Sequence, residues 1–355
     1  MVFNINFLPA KYGDCIWMEY GNIRSIHRVL IDGGTGGTKL VLNELIQMLP
    51  KSERHFDLIV VTHVDRDHIE GILRLVEEDK LDFTVGDLWF NGWTHLPGNE
   101  DDESFGAIQG EKLTQRILFH KLSWNNAFGG KAIVIPHQGQ LPVINLPGGI
   151  KLTLLSPLIE SLANLKTKWC GEVLKAGLIP GFGAEEVKEE EDEIESFGEW
   201  TIDVESLNEI DFMEDTAEAN ASSIAFIAEY SGISVLFAGD SHPSKILDSL
   251  NKLYENKAPV TVMKLSHHGS SHNTSPELLE KLDCKKYVIS TNGAIYKHPD
   301  NATIARVIKR GGNDTELIFN YKTQYTNVWE SKNLQDQYNF RTVYPETEGV
   351  VVNLI

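Results

Sequence analysis

The stretch VVTHVDRDHIEG, residues 60 to 71, places His63, Asp65, Asp67 and His68 directly after an apolar run. Imidazole nitrogen and carboxylate oxygen suit zinc, manganese or iron. Two such ions can share ligands and activate a water between them. His63 and Asp65 are two apart, as are Asp65 and Asp67, and His68 follows at once. In a tight loop this spacing lets alternate side chains face one ion and adjacent ones another. The simpler alternative is an acid-rich loop opening a helix, with Asp67 as its cap and His68 in the first turn. That accounts for one aspartate, but not for four ligand-type side chains in a row. Asp240 and the pair His267–His268 stand at the ends of two further apolar runs and extend the set. Asp57, ahead of LIVV, reads as a turn or surface residue. The chemistry expected of such a set is hydrolysis by metal-activated water.

Side chains this far apart in sequence need a rigid frame. FNINFL, DCIWMEY and RVLIDGG read as strands, and residues 38 to 50 as a helix stopped by proline. FDLIVVTH reads as a buried strand, HIEGILRLVEE as a helix, and KLDFTVGDLWFNG as a strand with Trp89 and Phe90 near its end. GIKLTLLSP, both halves of NASSIAFIAEYSGISVLFAGD, VTVMKLSHHGS and KKYVISTNG supply more strands, with HPSKILDSLNKLYE a helix among them. Three of the late strands finish at Asp240, at His267–His268, and at Asn292–Gly293 leading to His298. Loops beyond strand ends can aim several side chains at one point. Gly33 and Gly34 would allow close backbone approach there, or simply a turn.

The 355 residues are read as one domain, with an acidic excursion at about 158–215 and a C-terminal strand region at 313–355. Within the excursion, AEEVKEEEDEIE (184–195) reads as a solvated linker or a contact for a basic protein partner. After residue 300, NATIARVIKRGG reads as a helix, TELIFNYKT as a closing strand, and TEGVVVNLI as a terminal strand pairing at an edge or in an oligomer. Acidic residues outnumber basic ones 51 to 32, a formal charge of −19, which argues against broad attraction to phosphate backbones or anionic membranes. Cys15, Cys170 and Cys284 are odd in number and far apart, so no disulfide scaffold or thiolate zinc site is expected. The N-terminal stretch lacks the pattern of a leader and no run reaches membrane-span length, so a cytoplasmic protein is expected.

Taken together, the motifs resemble those of metallo-β-lactamase-fold hydrolases. HxDxDH looks like a variant of that family's HxHxDH. The series LIDGG, THVDRDHIEG, LWFNG, NASSIAFI, LFAGD, LKLSHHGSS and ISTNGAIYKHP is most similar to the hydrolase domain of the ComEC/Rec2 competence proteins. The resemblance covers most of residues 5 to 300. It implies an α/β fold, an αββα sandwich of two mixed sheets flanked by helices, with two divalent ions, zinc or manganese, at the meeting strand ends. It implies that His63 and Asp65 hold one ion, Asp67 and His68 the other, with Asp240 bridging and His268 completing the second shell. His267 would touch the substrate or donate a proton, although the sequence leaves open which of the pair is the ligand. His298 matches a histidine of this branch that could contact substrate, and Asp14 an aspartate that organises the ligand loop. Asp65 stands where histidine is usual, which makes the first site harder and more anionic, and the lack of a histidine matching the third motif implies one weakly bound ion. His95 and His137 are the substitutes considered for it. The implied substrate is a phosphodiester, DNA or a small molecule. The alternatives are hydrolysis of another ester, thioester or amide, an oxygen-using iron pair, or a non-catalytic metal-stabilised interaction or defence module.

Overall fold

Alternation builds the first strand. In Val2–Phe7 (β1), Phe3, Ile5 and Phe7 are fully buried, while the residues between them are half-buried. The computed structural model describes residues 1–97, 108–175, 202–312 and 314–355, so the acidic run 184–195 lies outside the described residues. After β1 come β2 (Ile16–Asn22), β3 (Ser25–Ile31), α1 (Thr38–Met48), β4 (His55–Val60), α2 (Arg66–Val76), β5 (Thr84–Trp89) and α3 (Ile108–His120). Then follow β6 (Val143–Asn145), β7 (Lys151–Leu154), α4 (Ile159–Lys175), α5 (Val204–Asn208), α6 (Glu218–Ala221), β8 (Phe226–Tyr230) and β9 (Ile233–Phe237). The last third holds α7 (Pro243–Leu253), β10 (Ala258–Pro259), β11 (Val262–Lys264), α8 (Pro276–Lys281), β12 (Leu282–Asp283) and β13 (Lys286–Ile289). It closes with α9 (Asn301–Arg310), β14 (Thr315–Phe319), α10 (Lys332–Tyr338), β15 (Phe340–Val343) and β16 (Val350–Asn353).

Two large mixed sheets result. One runs β16-β1-β2-β3-β4-β5, the other β15-β14-β13-β11-β9-β8-β7-β6, and β10 pairs with β12 in a small ribbon. The terminal strand β16 pairs antiparallel with β1, which is the edge pairing the sequence suggests. Phe3, Ile5, Phe7, Leu58 and Val60 from the first sheet join Leu152, Phe226, Phe237 and Met263 from the second in one apolar layer. Leu30, Phe56 and Ile59, on the opposite face of the first sheet, pack under Leu42, Ile46, Ile69 and Ile72 of α1 and α2. Helices α7, α8 and α9 contribute Leu250, Leu278 and Val307 to the core of the second sheet. Each such side chain contributes roughly 1.5–3 kcal/mol on full burial. The layers are therefore helix, sheet, sheet, helix.

The ends of the parallel strands create the site. β3 and β4 are parallel, as are β9, β11 and β13, so the chain leaves each set of strands on one side. The sheets are tied there by backbone bonds from Ile224 N to Thr62 O and from Asn292 N to Lys11 O. Helix α2 also approaches the end of β3 more closely than side chains would permit. A Cβ on Gly71 would lie 1.8 Å from Gly33 O, and one on Gly33 would lie 2.2 Å from Ile72 N. That approach is held by Gly33 N to His68 O (2.7 Å) and Gly71 N to Gly34 O (3.0 Å).

Asp57 is not a turn residue. It is buried in β4, where its carboxylate accepts from Arg28 N at 3.1 Å and faces His27 Nδ1 at 3.0 Å. Its neighbours, an edge of polar backbone and a distant histidine, are invisible in a local reading. Gly71→Ala is expected to cost about 1–3 kcal/mol by overpacking and to weaken metal binding in parallel. Chemical denaturation and a chelator competition would check both.

Candidate metal centre

Helix α2 begins one residue after Asp65, which stands at its N-cap without a side-chain capping bond. Asp67 and His68 thus lie in the first turn, one beside the other, and both are buried. His68 Nε2 is 3.3 Å from His268 Nε2, 3.3 Å from Asp240 Oδ2 and 3.9 Å from Asp67 Oδ2. His268 Nε2 is 3.1 Å from Asp67 Oδ2 and 3.8 Å from Asp240 Oδ2. Four donors on a tetrahedron with bonds near 2.1 Å would be about 3.4 Å apart. The ligand atoms of His68, Asp240 and His268, together with Asp14, all lie within 4.8 Å of one another, a spacing and donor set that fit one divalent ion, with Asp67 against His268.

Each imidazole is fixed from behind. Asp32 Oδ2 accepts from His68 Nδ1 at 2.8 Å and from Thr62 Oγ1 at 2.7 Å, and its Oδ1 accepts from Thr62 N at 2.7 Å. The Thr62 hydroxyl in turn accepts from His63 Nδ1 at 3.0 Å. One carboxylate therefore orients histidines of both halves of the cluster. The Ser290 carbonyl accepts from His268 Nδ1 at 2.9 Å, and Asp14 Oδ1 lies 3.5 Å from the same nitrogen. Such partners set the tautomer and leave the Nε2 lone pair facing the cluster. Asp14 itself forms a buried ion pair with Lys264. Burial opposes ionisation of Asp14, but the Lys264 ammonium and His268 override it and hold the carboxyl well below its ordinary range.

His63 and Asp65 form the second half of the cluster. His63 Nε2 lies 3.6 Å from Asp65 Oδ2 and 3.8 Å from Asp240 Oδ2. Both His63 Nε2 and Asp240 Oδ1 are buried without a hydrogen-bond partner among the described residues. Orphaned polar atoms of this kind are costly, and a shared cation would satisfy both. Asp240 stands between the two groups, touching His63, His68, His267 and His268.

On the open side, His267 Nδ1 donates to Asn273 Oδ1 at 3.0 Å, which leaves a lone pair on Nε2, 3.9 Å from Asp240 Oδ2. Asn220 Nδ2 also lies 3.3 Å from Nδ1, but it is committed to Asp215 Oδ2 at 2.6 Å. Burial pushes the His267 imidazole below its ordinary pKa, so the ring is neutral near pH 7. His298 comes within 5.5 Å of it, ring to ring, and its Nδ1 lies 3.3 Å from Asp300 Oδ1. Although burial raises the Asp300 carboxyl, the bond to His298 helps hold it down at about 2.

No family model matches the chain. Among curated proteins it is 24% identical to ComE operon protein 3 of Bacillus subtilis (strain 168) over 273 residues, which is 70% of this chain and 33% of that protein. The chain thus spans about a third of the length of that relative. Among solved structures it is similar to the metallo-β-lactamase fold protein YhfI of Bacillus subtilis, at 12% identity and a TM-score of 0.40 with both chains fully covered. It is also similar to zinc-bound PqqB of Methylobacterium extorquens, at 10% identity and a TM-score of 0.38, covering 97% of this chain and 88% of that one. The paired mixed sheets, with the histidine and aspartate loops at their joined strand ends, decide the architecture. That architecture is an α/β sandwich of four layers, helix, sheet, sheet, helix.

This sandwich brings His63, Asp65, Asp67, His68, Asp240 and His268 together, with His267 and His298 beside them. It does not bring the two substitutes for the third motif. His137 is exposed and bonded to Glu160 at 2.7 Å. His95 packs edge-on against Trp124, where burial lowers its pKa. Neither has a hydrogen bond, ion pair or ring contact with the cluster residues, although His95 follows β5, which ends on the same side as β4. Asp32 and Thr62 were not singled out from sequence, although an aspartate between a strand and two glycines was the available signal. Asp215 was hidden in the excursion; its carboxylate accepts from Asn220 and Asn273 and lies 3.8 Å from His267.

Asp32→Asn is expected to lower metal affinity about 10–100-fold, read by chelator competition, with the circular dichroism spectrum unchanged. A pH dependence follows as well. Burial opposes protonation of His68 and His268, but Asp240 and Asp32 hold the first well above its ordinary range, and Asp14 and Asp240 push the second up to about 10. A raised pKa means stability present below the unfolded value of 6.5 and lost as pH climbs through the folded one. Metal-stripped protein is therefore expected to melt at progressively lower temperature between pH 6.5 and about 10. Metal affinity should rise over the same window, because binding displaces those protons.

Proposed function

We propose that the protein is a metal-dependent hydrolase acting on phosphodiesters. The observation that carries this reading is the buried set of donors around Asp240, with unsatisfied atoms facing inward and two histidines on the open side. In this reading His63, Asp65 and Asp240 hold one ion, and Asp67, His68, Asp240 and His268 hold another, zinc or manganese. Divalent ions there supply Lewis acidity, which makes water nucleophilic near neutral pH and offsets charge developing on the attacked group.

The chain's own residues do the rest. Asp67 orients the nucleophile, since its carboxylate lies in the first turn of α2 against His268. Neutral His267 keeps its Nε2 lone pair toward the Asp240 side, and so accepts a proton or a ligand bond rather than donating one. His298, with Nδ1 toward Asp300, is the better group to protonate the departing oxygen. The first site has three donors in this assignment, so it stays open for substrate and is the more weakly held. Phosphodiester is favoured over lactam or thioester by the run of motifs resembling the ComEC/Rec2 hydrolase domain, and the similarity to ComE operon protein 3 supports that branch. No helix among the described residues is long and apolar enough to cross a membrane.

The test is turnover of bis(p-nitrophenyl) phosphate by metal-stripped protein resupplied with zinc or with manganese. Asp67→Ala should abolish the metal-dependent rate, and His298→Ala should lower kcat about 100–10,000-fold while metal content stays at the wild-type level. Metal-loaded wild type that cleaves a thioester or lactam but no phosphodiester would sink the substrate assignment. Protein that cleaves none of the three would leave a non-catalytic module.

A further inference from the structure

Lysine side chains usually carry the ammonium out to water even where the stem is covered. Lys264, the last residue of β11, does not: it is 1% exposed, and no other lysine is buried among the described residues. β11 runs between β9 and β13, with Lys264 in register with Phe237 on one side and Val288 on the other. Each neighbour leads straight into the site, Phe237 to Asp240 and Val288 to Ser290, whose carbonyl accepts from His268. The ammonium thus lies beneath the ligand loops. It donates to the carbonyl of Gly239, the residue before Asp240, at 3.4 Å, and it pairs with the Asp14 carboxylate.

Asp14 is as near the centre as a ligand would be. Its ligand atom lies within 4.8 Å of those of His68, Asp240 and His268. Asp14 N donates to Asp67 O at 3.1 Å, and a Cβ on Gly13 would lie 2.0 Å from that oxygen, so the loop carrying Asp14 is pressed against a candidate ligand. Apart from the pair with Lys264, both Asp14 oxygens lack a hydrogen-bond partner among the described residues. His268 Nδ1 is 3.5 Å away and donates to the Ser290 carbonyl instead, at 2.9 Å. A pair kept for the fold alone could be exchanged for two apolar side chains at little cost and often with a gain. Charge points to a different purpose. Five carboxylates stand in or behind the cluster, those of Asp14, Asp32, Asp65, Asp67 and Asp240. Two divalent ions would offset four of those charges, and Lys264 offsets the fifth.

We propose that Lys264 is a positioning residue of the metal centre: it claims the Asp14 carboxylate and so withholds that charge from His268 and from the ions. The inference rests on divalent ions binding at the cluster and not on which bond is hydrolysed. While Lys264 holds Asp14, the acceptor behind His268 is a neutral carbonyl. A carboxylate in that place would raise the basicity of the imidazole and tighten its grip on a metal. The ammonium therefore trades affinity for Lewis acidity, since an ion whose surroundings are less negative keeps more of its own charge for the attacked group. It also explains why a lysine is buried at a strand end where an apolar residue would fit the core. The cost of burying it is met by the one carboxylate that must be kept from the ions.

The test reads affinity for zinc and for manganese alone, by competition with a chromogenic chelator at one fixed pH, on the full chain. Lys264→Met frees the Asp14 carboxylate and should tighten both ions about tenfold. Asp14→Asn leaves the ammonium unanswered beside the cluster and should weaken them about 10–100-fold. Each variant leaves a buried charge unpaired, so each should melt below wild type. Opposite signs in affinity are what a merely structural pair would not produce. Lys264→Met combined with Asp14→Asn leaves no charge over, and affinity should return to within about threefold of wild type. Where Lys264→Met alone does not fold, the same sign is read by comparing the double variant with Asp14→Asn, and the double variant should be the tighter binder. Weakening in both single variants, unchanged affinity throughout, or no gain of the double variant over Asp14→Asn would each overturn the role of Lys264 and leave the metal-dependent hydrolase standing. Wild type that binds neither ion would remove the metal centre and this role with it. Because turnover is not measured, the phosphodiester reading and this one fail in different experiments.

Discussion

Negative charge crowded into a dry pocket is the constraint that the rest of the structure answers. Asp14, Asp32, Asp67 and Asp240 are all buried, and their carboxylates converge on His68 and His268. Isolated buried carboxylates are far too costly to persist. Lys264 answers for Asp14. The remaining charge is met by protonating the two imidazoles, or by cations that displace those protons. This is why the shifts run in opposite directions across one cluster, Asp240 held well below its usual range and His68 well above. Of the four, Asp32 is held by the Thr62 amide and hydroxyl, so it stays aimed inward in either state.

Asp32 converts that charge into geometry. It sits at the end of β3 with φ of 57°, and its two oxygens take Thr62 and His68 together. The conformation is possible because Gly33 and Gly34 follow, and the bonds reach their targets because Gly71 lets α2 settle on the turn. Backbone packing and ligand orientation are therefore one feature. A side chain at Gly71 would push α2 away, and His68 would leave Asp32 with it. The same economy appears after β11, where His267 and His268 both take left-handed φ, 46° and 54°, and both bring Nε2 within 4 Å of Asp240 Oδ2.

Most of the frame was legible in the sequence, since strands such as FNINFL and helices such as HIEGILRLVEE carry their periodicity locally. The candidate ligands were legible too, because His63, Asp65, Asp67 and His68 crowd one loop, and the others end apolar runs. What stayed hidden depends on contacts distant in sequence. Asp32 looks like the start of a glycine turn until His68, thirty-six residues on, is seen against it. Asp57 looks exposed until His27 and Arg28 are placed beside it. The helices α3 and α10 lack a strong apolar stripe and were not read at all.

The excursion makes the point most sharply, because the sequence marked 158–215 only as an insertion and assigned no role to its two ends. Its first helix, α4, buries Leu162 and Leu165 against the first sheet's helices, and α5 buries Val204 in the central core. Beyond α5, Glu214 accepts from Ser244 N and Ser244 Oγ at the start of α7. Asp215 then reaches Asn220 and Asn273, the second of which also donates to the Asp240 carbonyl and accepts from His267. Hydrogen bonds from both asparagines keep the Asp215 carboxyl below its ordinary range against the opposing effect of burial. The acid-rich chain thus returns to the fold as a fixed anion behind His267. A charge in that place orients Asn273, and Asn273 decides which nitrogen of His267 faces the ligand cluster. Composition could say that the segment was polar; only its anchoring shows that the histidine's tautomer depends on it.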